Sequence, residues 1–340
     1  MPDRPTVYLL TYNDTAVANP IARAFEERGW TCRQFVYAMP KVSPTIIGLR
    51  KVADPMVERK LLAGEYNRII RDELAPALQS DPPDLLLVMK GHRIDADNFA
   101  AINASGVPVF LWFYDSQERF QHQGDLVPLA KKIYVIDRSD IADDRYSWLP
   151  LGFDEEVYRP SGNDPLFDIF FIGKLEPRYY KTRREYLLML ARSELPKRYR
   201  VGFIGTTGNR IRDRLLGIKP PFQWLAPRMP ADNYAATIAR ARVVVNVHQD
   251  DGGEPVNPMF FATAGCRVCQ VLEQRDYLME WMTPNEAYVP VTRDTFLSTL
   301  EMLLADHAGR KRVAEAGYQQ SLKHTFASRV DRMLQDFDAI

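Results

Sequence analysis

The chain has 340 residues, a length that favours two domains over one. Its 44 basic and 44 acidic side chains balance, so no global field draws it towards nucleic acid or an anionic membrane. No apolar run reaches the roughly 20 residues of a membrane span, and the opening MPDRP lacks a signal-peptide pattern; a soluble cytoplasmic protein is the expectation.

Thr6–Tyr12 is an apolar run that reads as a buried strand, followed by an Asn13-Asp14-Thr15 cap and a helix from Pro20 to Gly29. Cys32–Val36 is a second strand. No GxGxxG joins strand to helix, so the dinucleotide fingerprint is absent. Residues 54–78 read as one long helix, capped by Asp54 with Pro55 in its first turn. Leu85–Met89 is the next strand, with Lys90-Gly91-His92 at its carboxyl end. A helix over Asp97–Ser105 precedes a strand over Val109–Phe113, which ends in Tyr114-Asp115-Ser116. One more strand spans Ile133–Ile136. Strands alternating with helices predict a parallel, doubly wound sheet.

The prolines and glycines of Trp148–Pro160 punctuate the passage into a second half. That half opens with a strand over Asp168–Ile172, then Gly173-Lys174 and a basic helix carrying Arg178, Lys181, Arg183 and Arg184. Tyr199–Ile204 reads as a strand and Pro230–Ala241 as a helix. The stretch from Val243 to Val271 organises this half. Val243–Val247 is a short β-branched strand, His248–Glu254 a polar loop, Pro255–Gly265 a helix start and helix, and Arg267–Leu272 a strand. Ligands of open α/β sheets sit outside the carboxyl ends of strands, near helix starts that favour anions. His248–Asn257 therefore stands where a phosphorylated ligand is expected. A strand at Ala287–Val291 and helices at about 293–305, 310–317 and 320–336 complete the half.

The three cysteines, Cys32, Cys266 and Cys269, suit a reducing compartment. Cys266-x-x-Cys269 has no second pair, which makes packing between helix and strand its plain reading. No GxSxG elbow, Walker motif or HExxH is present.

Several segments carry a family resemblance. In the second half these are Asn246-Val247-His248, Asn257-Pro258-x-x-Phe261, Ala264-Gly265-Cys266, Pro284-Asn285-Glu286, Ala314–Gly317, His324-Thr325-Phe326 and Arg329. In the first they are Pro83-Asp84 through Lys90-Gly91, and Val109–Trp112 with Asp115. Together they resemble the CgeB-like, spore-maturation type of glycosyltransferase. The resemblance implies the GT-B fold, two Rossmann-like α/β domains facing a cleft: an acceptor domain over 1–155, a donor domain over 156–322, and a last helix over 323–340 crossing back. It implies a retaining hexosyltransferase, with a nucleoside-diphosphate sugar as co-substrate, no other cofactor and no metal. The acceptor, a glycan, protein or small molecule, stays open.

The donor's diphosphate needs backbone N–H groups and one or two basic side chains. Gly173, Lys174, Arg178 and Lys181 are the candidates, with His248, Glu254, Val256 and Asn257 on the facing loop and the nearby Asp250 and Asp251 as possible sugar contacts. Asp115 and His92, at strand ends of the first half, are the candidate catalytic bases towards an acceptor. The family pattern places an Arg and a ribose-holding Glu where this chain has Met259 and Ala262. Either Gln270, Glu273 or Glu286 or a different nucleotide pose compensates, or the chain is a catalytically degenerate binding or scaffold protein.

Overall fold

The computed structural model describes residues 4–12, 15–37, 67–91, 94, 96–115, 126–175, 180–205, 223–224, 231–250 and 253–340. The chain forms two compact units, Met1–Pro150 with Val330–Ile340, and Leu151–Arg329. Each is built on a six-stranded parallel sheet.

The first sheet contains β1 (Thr6–Thr11), β2 (Thr31–Val36), β3 (Leu85–Met89), β4 (Val109–Phe113), β5 (Ala130–Val135) and β6 (Tyr146–Trp148), in the order β2-β1-β3-β4-β5-β6. Both central strands, LLLVM and VFLWF, are buried at every position, as expected of strands covered on both faces. Helix α1 (Thr15–Glu27) starts earlier than its proline suggests, because Pro20 lies inside it. Of the long helix expected over 54–78, the described part carries a π-helical turn at Ile70–Leu74 before α2 (Ala75–Ser80). Pro76 has no N–H to donate, and the wider turn falls just before it. Helix α3 (Ala96–Ala104) precedes β4.

The second sheet contains β7 (Phe167–Ile172), β8 (Val201–Ile204), β9 (Gln223–Trp224), β10 (Ala241–Asn246), β11 (Cys269–Glu273) and β12 (Val289–Val291), in the order β12-β11-β10-β7-β8-β9. Its described helices are α4 (Lys181–Arg192), α5 (Leu195–Arg198), α6 (Ala231–Ile238), α7 (Met259–Gly265), α8 (Phe296–Ala305) and α9 (His307–Ser321), and α10 (Phe326–Phe337) starts in this unit and ends in the first. Gly265 ends α7 against the ring of Phe153, where an added Cβ would come within 2.4 Å. Cys266 and Cys269 are buried free thiols, and burial pushes both up to about 12, which keeps them protonated and unreactive.

The end of the chain packs on the first sheet. Asp331 accepts from Arg28 at 2.5 and 2.8 Å, Tyr134 donates to Asp336 at 2.8 Å, and Phe337 meets Trp30 edge-on at 5.2 Å. No helix among the described residues is long and apolar enough to cross a membrane.

Candidate functional site

The order of the second sheet reverses between β7 and β10, the switch point at which a doubly wound sheet opens a crevice beyond its strands. Gly173 follows β7 with φ +126°, and its N–H donates to the Ile204 carbonyl at 3.0 Å. The reason for a glycine is in its neighbour. Arg183, in the first turn of α4, turns inward, and a Cβ at residue 173 would lie 2.6 Å from its Nη1. The Arg183 guanidinium is buried. Its Nε donates to the Val247 carbonyl at 2.7 Å, Nη2 donates to the same oxygen, and Nη1 donates to the Lys174 carbonyl at 3.1 Å. Burial pushes this arginine below its usual range, against the pull of Tyr180, Glu273 and Asp250. One side chain thus ties the ends of β7 and β10 to the start of α4.

Around that knot some polar groups are matched, while Asn246 Nδ2, the His248 ring nitrogens and Glu273 Oε2 are buried without a hydrogen-bond partner among the described residues. Asp250 accepts from the Thr182 N–H at 2.7 Å, so a carboxylate already serves one first-turn donor of α4. Glu273, buried at the end of β11, accepts from the His248 N–H at 2.8 Å and from Arg275 Nε at 2.8 Å. Burial opposes its charge, yet His248 and Arg275 outweigh burial and hold the carboxyl below its usual range. Arg275 Nη2 also donates to the Gln249 carbonyl at 3.2 Å. A cavity of about 390 Å³ opens beside Arg275, lined also by Asn285, Tyr288, Thr292 and Thr295.

The structure distributes the residues singled out in the sequence between the surface of this edge and its interior. Lys174 and Lys181 are exposed; Arg178 and Asp251 lie outside the described residues. The His248 ring is fully buried, with Nδ1 3.3 Å from Glu273 Oε1 and its edges towards Phe260 and Tyr277. Val256 is buried and Glu254 half-buried. Asn257 uses both arms locally: Oδ1 accepts from the Met259 N–H at 2.8 Å and Nδ2 donates to Asn246 Oδ1 at 3.0 Å. Ala262 is buried. Of the three groups weighed as replacements for the absent Glu, Gln270 donates to the Phe260 carbonyl at 2.9 Å and is buried. Glu286 is exposed and accepts from Gln320 at 3.4 Å. Only Glu273 stands at the edge itself. The sequence reading treated Arg183 as part of a charged helix face; its place in the first turn of the helix that follows a strand-ending glycine was the available signal. Arg275, two residues after Glu273, was missed altogether.

In the first unit, Asp115 Oδ2 lies 3.1 Å from Lys90 Nζ. His92 lies outside the described residues. Among the described residues no group of three or more His, Cys, Asp or Glu side chains is placed to hold a metal ion.

Comparison with known proteins bears on the fold. Residues 183–335, a little under half of the chain, match the family described as glycosyl transferase-like. The matched stretch lies mostly in the second unit. No curated protein matches the chain. Solved structures resemble it over nearly its whole length. Anabaena Alr3699/HepE, in complex with UDP and glucose, is 12% identical with a TM-score of 0.64, over 99% of this chain and 100% of that one. Sucrose-phosphate synthase from Thermosynechococcus elongatus is 13% identical with a TM-score of 0.67, over 99% and 100%. A glycosyltransferase from Rickettsia africae is 9% identical with a TM-score of 0.62, over 99% and 98%. The fold is GT-B.

Proposed function

We propose that the protein is a glycosyltransferase of the CgeB-like group, a retaining hexosyltransferase that moves a sugar from a nucleoside-diphosphate donor to a hydroxyl acceptor. The observation that carries this reading is one of place. The glycosyl transferase-like stretch, residues 183–335, falls on the unit whose switch point gathers Gly173, Lys174, Lys181 and the start of α4. The likeness to HepE, whose structure holds UDP and glucose, supports a nucleotide sugar as donor.

In this reading the diphosphate lies against the backbone at Gly173 and Lys174, with Lys174, Arg178 and Lys181 matching its charge. The bond from the anomeric carbon to the phosphate oxygen breaks, and the nucleoside diphosphate leaves with the electron pair. The acceptor oxygen bonds to the anomeric carbon and loses its proton, with Asp115 and His92 as the candidate bases. Glu273, the one of the three groups that stands at the edge, replaces the absent ribose-holding Glu through Oε2, since Oε1 accepts from His248 and Arg275.

A second reading rests on two observations. Ala262 stands where a Glu would hold the ribose, and Asp250 already occupies the Thr182 N–H. A degenerate copy that binds a partner without chemistry would show both. Thermal stabilisation by UDP, GDP, ADP, CDP and dTDP, with and without magnesium, separates the two, since a ligand that binds only the folded state raises its stability. A shift with one base, followed by transfer from the matching nucleotide sugars, supports the enzyme. No shift with any base in a well-folded sample supports the degenerate protein.

A further inference from the structure

The first sheet has a switch point of its own. Its order, β2-β1-β3-β4-β5-β6, reverses between β1 and β3, and the crevice beyond those two strands is where a doubly wound sheet takes a ligand. Four side chains collect there. Tyr12 follows β1, Lys90 follows β3, and Tyr114 and Asp115 follow β4. Lys90 has φ +73° and Gly91 φ +67°, two successive residues in the left-handed region. A lysine there is uncommon, and such strain gathers at functional sites. The turn is held by the Lys90 N–H donating to the Trp112 carbonyl at 2.9 Å.

With this backbone the Lys90 ammonium lies 3.1 Å from Asp115 Oδ2, 5.6 Å from the Tyr12 ring centre and 5.4 Å from that of Tyr114. The Lys90 and Asp115 side chains are 22% and 24% exposed, so the pair is neither sealed inside nor left on an open surface. Its net charge is zero. Asp115 can accept a hydroxyl through Oδ1, an ammonium donates, and the half-buried Tyr12 ring offers an apolar plate beside them, backed by the buried Tyr114. A pyranose presents the matching chemistry, an apolar C–H face with a rim of hydroxyls. An anionic ligand would meet the carboxylate as a like charge.

We propose that Tyr12, Lys90, Tyr114 and Asp115 form a saccharide subsite that selects an uncharged sugar as acceptor, Lys90 acting as the residue that cancels the charge of Asp115. This rests on the glycosyltransferase reading above and adds the class of acceptor to it.

The test is direct binding to the full chain by saturation-transfer NMR, with methyl glycosides of glucose, galactose, mannose and N-acetylglucosamine against glucuronate and galacturonate. The wild type is expected to bind at least one neutral glycoside and to prefer it over both uronates. Asp115→Asn leaves the ammonium unmatched and shifts the preference towards the uronates by about tenfold. Lys90→Gly weakens the neutral glycoside by about tenfold, the size of one lost charge-assisted hydrogen bond. Glycine adopts the left-handed backbone readily, so this variant folds. Stabilisation by UDP, read in the same samples, belongs to the second unit. Absence of a shift with all five nucleoside diphosphates in the wild type defeats the donor reading whatever the saccharides do. The subsite is overturned if the wild type binds no saccharide, if it prefers a uronate, or if neither substitution changes the ratio.

Discussion

The carboxyl edges of the two sheets occupy equivalent topological places and are built in opposite ways. At the second edge the polar side chains are turned inward. Arg183 holds the carbonyls of Lys174 and Val247, Glu273 holds His248 and Arg275, and Asn257 holds Asn246 and Met259. What this edge offers a ligand is backbone at Gly173 and Lys174 and the exposed ammonium groups of Lys174 and Lys181. At the first edge Lys90 and Asp115 are paired but remain accessible. Under the proposed function the contrast would separate two tasks, a rigid backbone cradle for a diphosphate that is the same in every nucleotide sugar, and side chains that meet hydroxyls for discrimination among acceptors.

Arg183→Leu tests that contrast hardest. It leaves the Val247 and Lys174 carbonyls unmatched inside the second unit, at about 1–3 kcal/mol each. A loss of about 3 kcal/mol or more in denaturant unfolding is expected, with UDP stabilisation abolished. Gly173→Ala is expected to act through the same knot, since its Cβ would press on the guanidinium. Glu273→Gln comes next. It removes the charge that faces Arg275 and weakens the acceptor for the His248 N–H, for a loss of about 2 kcal/mol.

The next prediction concerns acid. His324 stacks on Phe261 at 4.4 Å, and burial, with the neighbouring Arg329 charge, lowers its pKa to about 4. The unfolded state binds its proton near pH 6.5, above the folded value. The neutral ring therefore contributes its full stability above about pH 6.5, and that contribution is lost as pH falls towards 4. A decline of up to about 3 kcal/mol across this window is expected, and His324→Gln should flatten it in urea titrations at pH 7 and pH 4.5.

The smallest effect completes the comparison. Lys90→Gly removes a side chain from the accessible edge and relieves its left-handed backbone. Its unfolding free energy is expected to move by less than about 1 kcal/mol. A loss as large as that of Arg183→Leu would show that both edges are built alike.

The strands were legible where burial on two faces writes a continuous apolar run: LLLVM, VFLWF and VVV needed no other signal. β6 and β9 were not, since three and two residues carry no period. Helix α1 was read as starting at Pro20, because a proline marks a first turn more often than an interior. For the candidate site, the positions of strand ends were legible: Gly173 and Lys174 follow β7 and Lys181 opens α4, as the sequence indicated. The role of Arg183 depends on a carbonyl of another strand, and the left-handed turn at Lys90 leaves no trace in residue type, since lysine gives no hint of it.

The Arg183 contact also bears on how the second unit assembles. The arginine and the Val247 carbonyl that it holds are 64 residues apart, with β8, β9 and α6 between them. Contacts of such separation form only after a long loop has been closed. The start of α4 is therefore expected to take its final shape late, once β10 lies beside β7. An interaction absent from the transition state slows unfolding without hastening folding. Arg183 should thus act chiefly as a kinetic clasp, and a nucleotide seated on the same edge should lengthen the lifetime of the folded unit rather than speed its formation.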